Sequence, residues 1–135
     1  MSPDTHVRIL LADDHPAARD QARQVLAEHW DVAGVAENGI ELLGAAVRLD
    51  PDVIVLDIAM PLMDGFAAAR SLRRTGSRSR LVFLSVWDDA DYMDEATRVG
   101  ADGYVVKSRL ASDLVPAVAG ALERRRSDEP PQEGR

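Results

Sequence analysis

The chain has no cysteine among its 135 residues, which excludes disulfides, thiol catalysis and cysteine-based zinc sites. It lacks any apolar run long enough to cross a bilayer, and residues 1–6 carry no signal-peptide pattern. A cytoplasmic protein with no membrane contact is the expectation. No internal repeat and no low-complexity segment occurs. Positive charge is in deficit: 16 Lys and Arg against 23 Asp and Glu leave a net charge of −7. That balance argues against the chain wrapping nucleic acid by itself and suits a divalent cation or a more basic partner. What is present is ordinary for one globular domain, with 46% hydrophobic residues and enough length to bury a core.

The most telling stretch is Val53-Ile54-Val55-Leu56-Asp57, an aliphatic run that stops on a carboxylate. Bounded by Pro51-Asp52 and Met60-Pro61, it reads as a strand buried on both faces. Similar runs at 7–12, 32–36, 81–85 and 104–106 predict four more strands. Helical spacing predicts helices over about 16–29, with Pro16 in its first turn, and over 39–49, with Leu42, Leu43, Ala46 and Val47 inward. Further helices are expected over 66–74, from Asp89 to about Val99, and from an N-cap at Ser112, which leaves Pro116 in the first turn. Strands alternating with helices give an α/β sandwich with a parallel sheet. Residues 1–6 read as a disordered leader, 7–123 as the domain, and 124–135 as a flexible tail or a truncated linker.

In a parallel sheet, strand ends of one polarity share an edge, where open α/β folds bind ligands. Asp13 and Asp14, Asp57, Ser85 and Lys107 all follow or end such strands. Each has a plainer role: Asp57 opens the turn to Pro61, Asp13 and Asp14 cap the first helix, Ser85 is a satisfied hydroxyl, and Lys107 is a solvated cation. Together on one edge they are harder to dismiss. Two unit charges ~4 Å apart repel by about 4 kcal/mol at an effective dielectric of ~20. A hard cation such as Mg2+, which takes oxygen ligands and keeps waters and a phosphate oxygen, relieves that repulsion. A hydroxyl and an ammonium across from it complete a cradle for a phosphoryl group.

The pieces Leu11-Ala12-Asp13-Asp14-His15-Pro16, Val55-Leu56-Asp57 with Met60-Pro61 and Met63-Asp64-Gly65, and Gly100-Ala101-Asp102-Gly103-Tyr104 with Lys107 resemble a response-regulator receiver domain. The likeness runs from about Val7 to Leu122, and its opening looks most like the NarL/FixJ-type transcription regulators. It implies a CheY-like, flavodoxin-like fold: a five-stranded parallel sheet in the order 2-1-3-4-5, with five helices on both faces. It also implies that Asp57 is the phosphoacceptor, taking a phosphoryl group from a sensor histidine kinase. Mg2+ would be held by Asp13, Asp14, Asp57 and the backbone carbonyl of Ala59. Lys107 and Ser85 would contact the phosphoryl oxygens. Ser85 and Tyr104 would form the switch that reshapes the face of the fourth helix, fifth strand and fifth helix.

Such a chain promotes its own phosphorylation and dephosphorylation and is not otherwise an enzyme. Trp87, Ala59 and Met60 flank the phosphoryl site. Because neither Ala59 nor Trp87 orients a water well, a long-lived phosphoaspartate is expected. Ser85 stands where many relatives have Thr, and Ser108 where many have Pro after the lysine.

A haloacid-dehalogenase-type phosphatase, the rival from another class, needs a second Asp where this chain has Ala59. A nucleotide binder needs a Gly-rich loop after the first strand, and none is present. The remaining alternative is a phosphorylation-independent receiver acting as an interaction or dimerisation module. A homodimer through the first and last helices, or through the fourth-helix face, is implied without a choice between them. DNA would be reached only through a separate effector domain. His15 is read as helping to start the first helix rather than as a ligand. Arg70, Arg73, Arg74, Arg78 and Arg80 are read as a solvated helix terminus.

Overall fold

Apolar residues that alternate between two sides of each strand build a five-stranded parallel sheet in the order β2-β1-β3-β4-β5, as expected. The computed structural model describes residues 3–128, with side chains to residue 124. In chain order the elements are β1 (Asp4–Ala12), α1 (Pro16–Ala27), β2 (Trp30–Ala36), α2 (Gly39–Leu49), β3 (Val53–Leu56), α3 (Gly65–Arg74), β4 (Arg80–Ser85), α4 (Ala90–Arg98), β5 (Gly103–Val106) and α5 (Leu110–Asp128). A short 3-10 turn, Lys107–Arg109, leads into α5.

The strand period of two sorts the core into two layers. Leu10, Ala12, Ile54, Leu56, Leu81 and Phe83 pack with α2, α3 and α4. Ile9, Leu11, Val53, Val55, Val82 and Leu84 pack with α1 and α5. Every residue of β3 has no exposed surface, and each such side chain contributes roughly 1.5–3 kcal/mol of burial. That is why β3 reads as an unbroken aliphatic run. Register then sets the functional edge. Ala12 lies beside Leu56, and Leu56 beside Phe83, so Asp13 and Asp57 leave the sheet at the same level. Ser85 pairs with Val106, which brings Lys107 to the same edge.

The structure corrects several boundaries. β1 begins at Asp4 rather than Val7: the Asp4 amide donates to His29 O at 2.7 Å, so residues 4–6 are strand and not disordered leader. α5 continues to Asp128 where a tail was expected from 124, and the Arg124 guanidinium donates to Asp102 O at 3.0 Å. The remainder of both terminal expectations, residues 1–2 and 129–135, lies outside the described residues. α5 starts at Leu110, whose side chain is buried, so Ser112 is no N-cap and Pro116 sits inside the helix. Val47 is 85% exposed, because it falls two positions, about 200°, round α2 from buried Ala45.

Arg73 is not merely solvated: it donates to Ser79 O at 2.8 Å and Gly100 O at 2.9 Å, tying α3 to the loop before β4 and the loop before β5. No cis peptide occurs among the described residues, so Lys107–Ser108 is trans.

Gly65 opens α3 directly under the site. A Cβ there would stand 2.2 Å from the backbone oxygen of Asp57, whereas a Cβ on Gly120 of α5 would meet nothing within 4 Å. Gly65→Ala therefore costs about 2 kcal/mol or more in urea unfolding, while Gly120→Ala is neutral or stabilising by up to about 1 kcal/mol. Equal effects at the two positions would contradict the packing described.

Candidate functional site

The backbone ladder carries the two central acids one residue past their strands. The Asp13 amide donates to Ala36 O at 3.0 Å, and the Asp57 amide to Ala12 O at 2.9 Å. The backbone of both acids is thus fixed by the sheet, and both residues are buried, at 0% and 2% exposure. The loop after Asp57 folds back through Gly65, whose amide donates to Ile58 O at 2.7 Å, while Asp64 caps α3 by accepting from the Ala67 amide at 2.8 Å. Ala59 is exposed in that loop, and Met60 is turned into the core beneath it.

Lys107 reaches in from the end of β5. Its Nζ lies 2.8 Å from Asp13 Oδ2 and 3.1 Å from Asp57 Oδ2, donating a hydrogen bond to the latter. Asp14 is half-buried beside them. Ligand atoms from Asp13, Asp14, His15 and Asp57 all lie within 4.8 Å of one another. At that separation two unit charges still repel by roughly 3.5 kcal/mol at an effective dielectric of 20.

Burial and then the Asp13 charge push the Asp57 carboxyl above its ordinary pKa, against the pull of Lys107 and a backbone hydrogen bond from Ala59. Burial alone would depress the Lys107 ammonium, but pairing with Asp13 and Asp57 more than offsets it and the net direction is up. One lysine therefore incompletely compensates the acids. Asp13 Oδ2 and Asp14 Oδ1 are buried and accept no aligned hydrogen bond, although Lys107 Nζ and His15 Nδ1 approach them. Carboxylate oxygens of three acids gathered within 4.8 Å are the donor set a hard divalent cation takes, so the residues fit Mg2+.

On the far side, Ser85 is fully buried and its Oγ accepts from the Trp87 amide at 3.1 Å. The half-buried Tyr104 donates its hydroxyl to Trp87 O at 2.7 Å. Its pKa is raised, chiefly by burial, although a hydrogen bond with Ser85 works the other way. The Trp87 ring stacks on Tyr92 of α4, with centroids 4.6 Å apart and planes within 5°. Tyr92 stacks more loosely on Phe66, and Phe66 meets Phe83 of the core.

Asp13, Asp14, Asp57 and Lys107 thus converge as expected, while Ser85, Tyr104 and Trp87 form a second group joined through the Trp87 peptide. His15, read as helping to start the helix rather than as a ligand, has its Nδ1 3.2 Å from both Asp13 Oδ1 and Asp14 Oδ1. The signal for it was local: Pro16 fixes the first helical turn, and His15 immediately follows the two acids.

The sequence pattern of the response regulator receiver domain matches residues 9–119. The chain is 34% identical over 117 residues to YxjL, an uncharacterized transcriptional regulatory protein of Bacillus subtilis, covering 85% of this chain and 54% of that one. It is 38% identical over 120 residues to the nitrate/nitrite response regulator NarL of Escherichia coli K12, covering 87% of this chain and 56% of the relative. It therefore spans about half the length of these curated relatives. Among solved structures, the signal receiver domain of the putative response regulator NarL from Mycobacterium tuberculosis superposes with a TM-score of 0.78 at 29% identity. That match covers 92% of this chain and 98% of that one.

Because the folded state raises the Asp57 pKa, it binds that proton more readily than the unfolded chain does. The Asp57 contribution to stability therefore falls as pH rises from the ordinary carboxylate range through the folded value. Asp57→Asn removes this loss. At pH 7.5 the variant is more stable than wild type, with a higher Tm, and the difference shrinks at pH 4.5. A variant less stable at both pH values would contradict the stated electrostatics.

Proposed function

The chain belongs to the response regulator receiver domain family, and we propose that it is a phosphorylated signalling switch in which Asp57 accepts a phosphoryl group from a sensor histidine kinase. The observation that carries this reading is the buried Asp57 carboxylate, with the Lys107 ammonium at 3.1 Å and oxygens of Asp13 and Asp14 within 4.8 Å.

An oxygen of Asp57 attacks phosphorus as the bond from phosphorus to the donor breaks, and the bonding electron pair leaves with the donor. Asp13, Asp14, Asp57 and the Ala59 carbonyl would hold Mg2+, which when bound neutralises charge on the transferring oxygens. Lys107 stabilises the same oxygens from the other side. Before transfer, its contacts with Asp13 and Asp57 keep both acids oriented and the ammonium charged.

The product carries close to two negative charges and new acceptor oxygens. Ser85 is the hydroxyl assigned to donate to them, and doing so turns its Oγ away from the Trp87 amide. Tyr104, bonded to the carbonyl of that same residue, is then free to change position with the loop before α4. Driving such an equilibrium from 1:99 to 99:1 takes roughly 5.5 kcal/mol, which a few charge-assisted hydrogen bonds approach. The output is transcription, through a DNA-binding domain outside this chain, as the names of YxjL and NarL support.

Intact mass after incubation with acetyl phosphate tests the reading. We expect a gain of one phosphoryl group that requires Mg2+, is absent in Asp57→Asn, and slows by about 100-fold or more in Lys107→Ala. No gain in wild type with Mg2+ would sink it and favour an interaction module that works without phosphorylation. The Ala59 methyl cannot orient a hydrolytic water, and the Trp87 ring is engaged with Tyr92, so the phosphoaspartate is long-lived. Trp87→Ala shortens its lifetime; rapid loss of phosphate unaffected by this change would contradict the assignment.

A further inference from the structure

His15 is the member of the acidic cluster that phosphoryl transfer leaves without a task. It occupies the N-cap of α1, where a side-chain oxygen usually turns back onto a helix N–H, yet its imidazole makes no capping bond. The ring does not serve the core either, since its side chain is 60% exposed. Its backbone is nonetheless held firmly. The His15 amide donates to Asp13 Oδ1 at 2.9 Å, its carbonyl accepts from the Arg19 amide at 2.9 Å, and Pro16 follows it in the first turn.

This fixed backbone aims Nδ1 at the cluster. It lies 3.2 Å from Asp14 Oδ1, 3.2 Å from Asp13 Oδ1, 3.6 Å from Asp57 Oδ2 and 3.5 Å from Lys107 Nζ. Around a six-coordinate cation with bonds of about 2.1 Å, neighbouring ligand atoms sit about 3 Å apart. The separations of Nδ1 from Asp14 and Asp57 are close to that spacing. Independently, the wholly buried Asp13 has an Oδ2 with no aligned hydrogen-bond partner, and Asp14 Oδ1 is in the same condition. Lys107 Nζ answers Asp13 Oδ2 at 2.8 Å, which leaves Asp14 Oδ1 with the His15 imidazole as its nearest positive or donor group, at 3.2 Å.

We propose that His15 Nδ1 is a nitrogen ligand of this cation site, which makes it a site for borderline divalent transition metals such as Ni2+ as well as for the hard ions Mg2+ and Mn2+. The proposal rests on the cation-assisted phosphoacceptor reading of the same residues. The Nε2–H tautomer leaves the Nδ1 lone pair free to bind. Mg2+ gains little from an imidazole, because it takes oxygen ligands and retains waters. Later first-row ions gain progressively more from nitrogen. His15 therefore separates the two classes of cation, where a site of carboxylates and carbonyls alone discriminates less.

Calorimetric titration with Ni2+ and with Mg2+ on wild type, His15→Ala and Asp57→Asn tests this, together with pulsed EPR of the Mn2+-loaded protein. The expected result is a loss of Ni2+ affinity of about tenfold or more in His15→Ala, a much smaller change for Mg2+, and a 14N coupling on Mn2+ that vanishes with the imidazole. Mg2+ and Mn2+ binding that depends on Asp57 but shows no 14N coupling and no Ni2+ loss in His15→Ala would overturn the proposal while leaving the cation site intact. Ni2+ binding that persists in both variants would place it at His6 or His29 and also overturn the proposal. No binding of any of the three ions by wild type would overturn the proposal and the cation reading together.

Discussion

Three carboxylates gathered at one edge of a hydrophobic sheet, with one lysine to answer them, is the constraint the rest of the molecule accommodates. Burial raises the Asp57 pKa and Asp13 raises it further. The fold holds the acids in place through their backbone, since both amides continue the parallel ladder beyond the strand ends, and Lys107 orients their carboxylates. The stabilisation that holds them comes from elsewhere, from β3 and its neighbours, which bury aliphatic side chains into both helical layers. A site with uncompensated negative charge and a rigid frame is ready for a cation and a phosphoryl group. Neither property would follow from the acids alone.

The same edge is also joined to the outer face. Ser85 of β4, Tyr104 of β5 and the start of α4 meet at one residue, because Trp87 gives its amide to Ser85, accepts from Tyr104 at its carbonyl, and lays its ring on Tyr92. A hydroxyl drawn toward a phosphoryl oxygen must release that amide. On the proposed reading, charge at Asp57 is converted into movement of a loop through this exchange of hydrogen bonds. Phe66 and Phe83 extend the ring contacts into the core, so the displacement works against packed aromatic surface.

Much of this was legible in the sequence, for physical reasons that also explain the failures. A strand buried on both faces must be aliphatic throughout, so β3 and β4 announced themselves, and the polar residue ending each marked the edge. The resemblance to receiver domains then implied the sheet order that the structure has. Errors fell where local pattern does not decide. The first residues of β1 are exposed and are strand only because His29 offers a carbonyl across the sheet. α5 starts at Leu110 because that side chain finds the core, a tertiary fact that overrides the capping preference of Ser112 and places Pro116 inside the helix. Val47 is apolar but faces outward. His15 is at a helix start as read, yet which way its ring turns depends on two acids held by the sheet.

The most direct test of Asp57 as the phosphoacceptor is chemical trapping. The chain is incubated with a phosphoryl donor and Mg2+, reduced with borohydride, which converts an aspartyl phosphate to homoserine, and mapped by peptide mass spectrometry. The account predicts homoserine at position 57 and at no other aspartate. Homoserine at Asp13 or Asp14, or a phosphorylated chain that resists reduction because the phosphate is on a hydroxyl, would contradict it.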